Sequence, residues 1–368
     1  MKICMVTHVF YPHIGGIERA VEELSKRLIE RGHEIFIITP RLKGTKTFED
    51  YKGMKIIRTD SMEIPVYNPP ILLSNPSEEI ENLVKKEGID LIHLHQRFYY
   101  NISKACIKTK KKFNIPLIYS IHDPSPIHVE NLFLRNLGIF YDKIWGKNLI
   151  KNSDALIAGS KFTEDEIRKN LNCKKDIHII PYGVDTSLFR PLNLKKEKTI
   201  LSVGRLTPEK GFKYLIEAFR IISKKHPEYK LVIVGTGPEL ENLKKISNNL
   251  NVEFLHNVKD QELVELYNKS ALFALPSMLE GFGLVVLEAL SCGLPIVATN
   301  VGAIKEIVGE SGVVVEPENS IKLAKGIERV IENQKLMKGF QKNAIKRAKT
   351  FDWNVMSEKT ENIYEEAL

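Results

Sequence analysis

Pro276-Ser-Met-Leu-Glu-Gly-Phe-Gly-Leu-Val-Val-Leu-Glu-Ala-Leu-Ser-Cys-Gly-Leu-Pro295 reads as the end of a strand, a tight turn, a helix and a helix stop. The apolar run ending at Pro276 is strand-like. Gly281 and Gly283 flank Phe282 where a helix would begin, and Leu284 to Leu290 is a strong helical run. Gly293 followed by Pro295 ends that helix and forbids its continuation. A glycine turn opening a helix leaves backbone N–H groups free beside the positive end of the helix dipole. The stretch therefore predicts an anion site, best suited to phosphate.

Two carboxylates narrow the reading. Glu280 stands just before the turn and Glu288 lies inside the helix. At about 1.5 Å rise per residue, Glu288 sits roughly 8 Å from the phosphate-binding end. A carboxylate there can accept two hydrogen bonds from a ribose diol, while Glu280 meets whatever hangs from the far phosphate. The spacing fits a nucleoside diphosphate with a polyol at its outer end, a nucleotide sugar. A surface helix with two solvated glutamates would explain the charges but not the paired glycines. Glu280-x7-Glu288 around Gly-Phe-Gly resembles the signature of the retaining GT-B glycosyltransferases of the family 4 type, the glycosyl transferases group 1.

Composition sets the frame for that resemblance. At 368 residues the chain exceeds the usual single domain, so two separate cores are expected. Hydrophobic residues at 43% and charged residues at 27% describe an ordinary globular protein. A net charge of +8 favours an anionic partner, a nucleoside diphosphate or an anionic lipid. No zinc-finger or RRM signature supports nucleic acid. Cys4, Cys106, Cys173 and Cys292 stand far apart and read as reduced thiols of a cytoplasmic protein. Met1 to Phe10 runs into a strand with no signal-peptide core, and no apolar run reaches the roughly 20 residues needed to span a bilayer.

The first half opens with a buried-type strand, Lys2 to His8. The loop Tyr11-Pro-His-Ile-Gly-Gly-Ile-Glu18 then feeds a helix from about Gly16 to Gly32. Gly15-Gly16 allows backbone to approach a ligand, although a plain turn uses two glycines equally well. The loop is not Gly-x-Gly-x-x-Gly, which speaks against a dinucleotide dehydrogenase. Ile35 to Thr39 is a second strand, and this strand–helix–strand spacing predicts a parallel sheet. Residues 43–75 are polar and weakly periodic, with one short strand at Lys55 to Arg58. Leu91 to Leu94 ends in His93-Leu-His95, a pair expected to split between core and site rim rather than to bind metal. Leu117 to Ile121 ends in His122-Asp123-Pro124, where open α/β sheets bind ligands. Residues 131–151 combine apolar Leu132, Phe133, Leu134, Leu137, Phe140, Ile144, Trp145 and Leu149 with Arg135, Lys143, Lys147 and Lys151. We expect an amphipathic helix packed on the sheet, with a membrane-surface helix as the alternative.

The pattern restarts after Pro191, marking a domain boundary. Thr199 to Val203 leads into Gly204-Arg-Leu-Thr-Pro-Glu-Lys-Gly211, where Arg205 and Lys210 bring two cations to a helix start. Planar guanidinium and point-charge ammonium suit a diphosphate leaving group. Strands follow at Lys230 to Val234, Val252 to Leu255, Ala271 to Pro276 and Pro295 to Thr299.

The resemblance covers nearly the whole chain and carries further expectations. It implies an α/β GT-B fold, two Rossmann-like parallel-sheet domains facing across a cleft. The first comprises residues 1–188 completed by a C-terminal helix 352–368, and the second residues 189–351. It implies transfer of a hexosyl group from a nucleotide sugar to an acceptor hydroxyl of a sugar, lipid or small molecule, with retention and no covalent protein nucleophile. His122, Arg205, Lys210 and Glu280 would be catalytic. Gly15, Gly16, Gly281, Phe282, Gly283, Glu288 and Val258 would bind the donor, Val258 through backbone contact with the base. The absence of Asp-x-Asp argues against a metal-clamped architecture, and neither metal nor cofactor is assigned. A nucleotide-sugar epimerase and a non-catalytic nucleotide-sugar-binding protein remain alternatives. Localisation is expected to be cytoplasmic, with peripheral attachment to the inner membrane face left open. The chain departs from the family pattern at Tyr182, where Asn is usual, and at Ala303 and Lys305, where the family commonly has Gly and Pro.

Overall fold

A computed structural model describes residues 1–13, 15–64, 67–95, 100–122, 136, 140 and 142–368. The chain forms two compact units, Met1–Tyr182 with Trp353–Leu368, and Gly183–Asp352. Each is an α/β layer structure around a mostly parallel sheet.

The N-terminal unit carries β1 (Lys2–Thr7), β2 (Glu34–Pro40), β3 (Phe48–Tyr51), β4 (Met54–Thr59), β5 (Ser61–Ile64), β6 (Tyr67–Leu72), β7 (Leu91–His95), β8 (Leu117–Ile121), β9 (Ala155–Ala158) and β10 (His178–Ile179). Eight of these make one sheet in the order β10-β9-β8-β7-β1-β2-β4-β3, parallel except where β3 returns antiparallel on β4. Ile3 lies between Ile35 and Leu91 in register. Runs such as Ile3–Val6 and Leu91–Leu94 are fully buried, as expected of parallel strands covered on both faces.

The helix Trp353–Ala367 belongs to this unit although the chain reaches it last. Trp353, Met356, Ile363 and Tyr364 are buried, Glu361 pairs with Arg31 and His33, and Tyr364 Oη lies 2.5 Å from His93 Nδ1.

The C-terminal unit has β11 (Thr199–Val203), β12 (Lys230–Val234), β13 (Val252–Leu255), β14 (Leu272–Leu275), β15 (Ile296–Thr299) and β16 (Gly312–Val315). Their order is β13-β12-β11-β14-β15-β16, all parallel. Ile200 pairs with Leu231 on one side and Leu272 on the other. The helices Phe212–Lys225 and Ser320–Ile331 pack Phe212, Leu215, Phe219, Leu323 and Ile327 into the core.

Strand limits read from the sequence hold to the residue at β8, β11, β12 and β13. Two expectations change. Residues 43–75 hold four strands rather than one, because Lys52 and Gly53, both at positive φ, turn β3 back onto β4, and β5 pairs with β6. The 131–151 stretch is helical where it is described, as expected, but only part of its apolar side is packed against the protein. In the helix Lys147–Asn152, Leu149 and Ile150 are buried, but Phe140, Ile144 and Trp145 are exposed beside Lys143 and Lys147. Leu132, Phe133, Leu134, Arg135 and Leu137 lie outside the described residues, as do Asp123 and Pro124.

Removing Trp353–Leu368 should leave the N-terminal unit unable to fold. Each large buried side chain lost costs about 2–5 kcal/mol, against a domain stability of roughly 5–15 kcal/mol. Hydrogen exchange on the truncated chain should show lost protection in β1, β2 and β7 and retained protection in β11 to β15. Equal protection in both units would refute this.

Candidate functional site

In open parallel sheets, ligands bind beyond the carboxyl ends of the strands where the strand order reverses. In the C-terminal unit that point lies between β11 and β14. The loop after β11 carries Arg205 and Lys210, and the loop after β14 carries Pro276 to Gly283. The two are stitched together, with Met278 N–H donating to the Glu209 carbonyl at 2.8 Å. Lys210 Nζ donates to Glu280 Oε2 at 2.8 Å, and Ser277 Oγ donates to the same oxygen at 3.2 Å.

This proximity depends on two glycines. At Gly211, φ is +65° and a Cβ would stand 2.2 Å from the Pro276 carbonyl oxygen. At Gly302, after β15, φ is +53° and a Cβ would stand 1.9 Å from the Glu280 carbonyl oxygen. Any larger residue at either position would push the Glu280 loop away.

Gly283 is the N-cap of the helix Leu284–Ser291 and brings no side chain to it, so the helix end is available to an anion. Glu288, one turn in, is buried and accepts a hydrogen bond from Tyr267 Oη at 2.9 Å. Phe282 is buried against Phe351, and Gly281 is exposed. Arg205 is exposed with no side-chain partner among the described residues, so the structure joins Lys210 but not Arg205 to Glu280. Val258 is half-buried in the loop between β13 and the helix Asp260–Lys269. Burial raises the Cys292 thiol to about 12, aided by the nearby Glu288, and removes it as a nucleophile.

In the N-terminal unit the strand order reverses at β1, between β7 and β2. Gly15 and Gly16 follow β1 at the start of the helix Gly16–Glu30. Glu18, buried in its first turn, lies 3.3 Å from His13 Nδ1, so a carboxylate already faces this helix end. The fully buried Arg58 donates to the carbonyls of Tyr11 and Lys46 and pairs with Glu49, holding the loop from its outer side.

Histidines line the ends of β7 and β8. His93 and His95, two residues apart, share one face of the strand, and their ring centroids are 3.7 Å apart. The expected split between core and rim is therefore wrong, since both are buried. His93 Nε2 lies 2.7 Å from Ser120 Oγ, and His95 Nδ1 lies 3.2 Å from His122 Nε2. His122 Nδ1 is hydrogen-bonded to Tyr182 Oη. Burial drives all three imidazoles toward the neutral form, His93 and His95 well below the usual value and His122 to about 3. A neutral His122 can orient a hydroxyl but cannot act as a ready acid. No cluster of three or more His, Cys, Asp or Glu able to hold a metal ion occurs among the described residues.

Comparison with known proteins gives this arrangement its context. Residues 14–188 match the model of Glycosyltransferase Family 4, and residues 184–347 that of Glycosyl transferases group 1. An uncharacterized glycosyltransferase of Haemophilus influenzae is 40% identical over 330 residues, 88% of each chain. The chain belongs to the family 4 glycosyltransferases. An uncharacterized glycosyltransferase of Methanocaldococcus jannaschii is 29% identical over 371 residues, covering 100% of this glycosyltransferase and 98% of its own length. The alpha-monoglucosyldiacylglycerol synthase of Streptococcus pneumoniae is 24% identical over 81% of this chain and 71% of its own. Among solved structures, sucrose-phosphate synthase from Thermosynechococcus elongatus superposes with a TM-score of 0.83 at 22% identity, covering 99% of this chain and 98% of that one. Anabaena HepE, in complex with UDP and glucose, superposes with a TM-score of 0.77 at 20% identity, covering 99% of each. Both support the GT-B fold.

Several residues that shape the candidate site escaped sequence reasoning. Tyr267 and Ser277 hold the two glutamates, and Gly302 supports the loop from below. Only Tyr182 gave a signal, by standing where the family usually has Asn.

The buried histidines predict acid sensitivity. Their folded pKa values lie below the ordinary 6.5, so unfolding takes up protons as the pH falls below about 6.5. Stability should be full above that pH and decline toward pH 3, by about 1.4 kcal/mol per pH unit for each histidine involved. Urea denaturation between pH 7.5 and 5.5 measures the slope, and His93→Gln should remove one proton from it. A flat profile over this range would contradict the buried neutral row.

Proposed function

We propose that this glycosyltransferase moves a hexosyl group from a nucleoside diphosphate sugar to an acceptor hydroxyl with retention of anomeric configuration. The observation that carries the reading is the Lys210–Glu280 ion pair beside the uncapped helix start at Gly283, with Glu288 one turn further on. The helix end and Lys210 meet the diphosphate, Glu288 the ribose and Glu280 the sugar. Arg205, exposed on the same loop, adds positive charge as the diphosphate leaves, so that these groups supply the neutralisation a metal would otherwise bring. A Glu280 carboxylate tied to Lys210 is better used as a hydrogen-bond acceptor than as a covalent nucleophile, which favours retention without a glycosyl-enzyme.

Thermal shift with UDP, GDP and ADP at saturation tests the donor site, since a ligand of the folded state raises the transition by mass action. UDP is the first choice, because HepE was solved with UDP and glucose. Proton NMR of the transferred sugar's anomeric signal then tests retention. No stabilisation by any nucleotide, or an inverted product, would refute the corresponding part.

The two glutamates should separate by ligand. Glu288→Ala should weaken both nucleoside diphosphate and nucleotide sugar by about 1.5–3 kcal/mol, the worth of a charged hydrogen bond. Glu280→Ala should spare the diphosphate and weaken only the sugar-bearing donor. Calorimetry with both ligands checks this, and equal losses in both variants would show that the assignments are wrong.

We infer further that the acceptor is lipid-borne. Phe140 is 63% exposed, Ile144 44% and Trp145 38%, with Lys143, Lys147 and Lys151 alongside. An apolar and basic surface of this kind suits an anionic bilayer, each basic residue adding about 1 kcal/mol at low salt. A diacylglycerol glycoside synthase among the relatives agrees with that acceptor class. Among the described residues no helix is long and apolar enough to cross a membrane, so attachment would be peripheral. The chain should sediment with phosphatidylglycerol vesicles at low salt and release at high salt. Replacing Phe140, Ile144 and Trp145 with Ser should abolish binding. Failure of the native chain to sediment at low salt would favour a soluble acceptor.

A further inference from the structure

His122 is held at both ring nitrogens. Tyr182 Oη bonds Nδ1, and His95 Nδ1 lies 3.2 Å from Nε2. His95 lies tilted against His93, ring centroids 3.7 Å apart, and the nitrogens of His93 are taken by Ser120 and Tyr364. Burial keeps the rings neutral, so each carries one proton. Only two proton arrangements then satisfy both bonds to His122.

In the first, the Tyr182 hydroxyl donates to His122 Nδ1, and His122 Nε2–H donates to His95 Nδ1. The His95 proton must then sit on its Nε2. In the second, every bond reverses. His95 Nδ1–H donates to His122 Nε2, and His122 Nδ1–H donates to the Tyr182 oxygen.

His95 Nε2 decides between them. It is buried and has no hydrogen-bond partner among the described residues. The first arrangement would leave a buried N–H orphaned there, whereas the second leaves a bare lone pair. Orphaned buried donors are the rarer and costlier of the two.

We propose that Tyr182 is a positioning residue that accepts the His122 Nδ1 proton and so fixes His122 as the tautomer with a bare Nε2. The ring of Tyr182 lies nearly parallel to that of His122, interplanar angle 24°, and packs where a Cβ at Gly159 would stand 3.4 Å away. This fixes the hydroxyl in place. His122 then presents a lone pair, able to accept a hydrogen bond from a sugar hydroxyl that takes the place of His95. That last step rests on the glycosyl-transfer reading, and the tautomer assignment does not.

Nitrogen-15 NMR of the histidine-labelled full chain, without ligand, reads the tautomer directly. The native chain should show His122 protonated at Nδ1 and bare at Nε2. Tyr182→Phe removes the acceptor and leaves one buried N–H orphaned in either arrangement, at His122 Nδ1 or at His95 Nε2, so the native preference for the Nδ1 proton should be lost and the Nε2-protonated form should become populated. A native spectrum with the proton on Nε2, or a Tyr182→Phe spectrum identical to the native one, overturns the proposal. The native spectrum alone decides if the variant does not fold. Where the tautomer shifts, turnover with the nucleotide sugar should fall about tenfold or more while its KM changes little, the pattern of a misplaced polar group. Unchanged turnover despite a shifted tautomer would leave the assignment standing and overturn the role of His122 toward the sugar.

Discussion

The Glu280 loop exists in its observed form because backbone is allowed to touch backbone. Pro276 and Glu280 present carbonyl oxygens to Gly211 and Gly302 at distances no Cβ could share. That contact sets the separation between the β11 and β14 loops, and the separation in turn lets Lys210 reach Glu280. The helix start at Gly283 inherits its position from the same contact. An ammonium, a carboxylate and a row of open N–H groups are thus preorganised before any ligand arrives, which is the condition under which electrostatic stabilisation is effective.

The N-terminal unit works under a different constraint. Its polar row of His93, His95, His122, Ser120, Tyr182 and Tyr364 is buried at the ends of parallel strands, where a charge would be costly. Neutral imidazoles, each with one donor and one acceptor, give the His95–His122–Tyr182 bonds a single direction, while His93 bonds separately to Ser120 and Tyr364. The row buys orientation rather than acidity.

Much of this was legible because it is local. A glycine turn, a helical apolar run and a Gly-x-Pro stop identify their segment from neighbouring residues alone, and buried parallel strands announce themselves as unbroken apolar runs. The partners of the site residues are not local. Tyr267 reaches Glu288 across 21 positions, Lys210 reaches Glu280 across 70 and Tyr182 reaches His122 across 60, and no period marks such pairs. His93 and His95 were misjudged for a simpler reason, since residues two apart on a strand face the same way. The extra strands before Asn75 were hidden by polar composition, because a two-stranded antiparallel pair needs little apolar sequence.

The discontinuous N-terminal unit has a consequence for synthesis. Its strands leave the ribosome first, yet its last helix, Trp353–Ala367, follows the whole of Gly183–Asp352. At about 5–20 residues per second that delay amounts to many seconds. The later-born unit is thus the first to have all its parts. Meanwhile the nascent N-terminal sheet waits with the surface that Trp353, Ile363 and Tyr364 will cover still bare. Its completion has to wait for the whole of Gly183–Asp352 to be made, and that interval is when a chaperone has most to offer this chain.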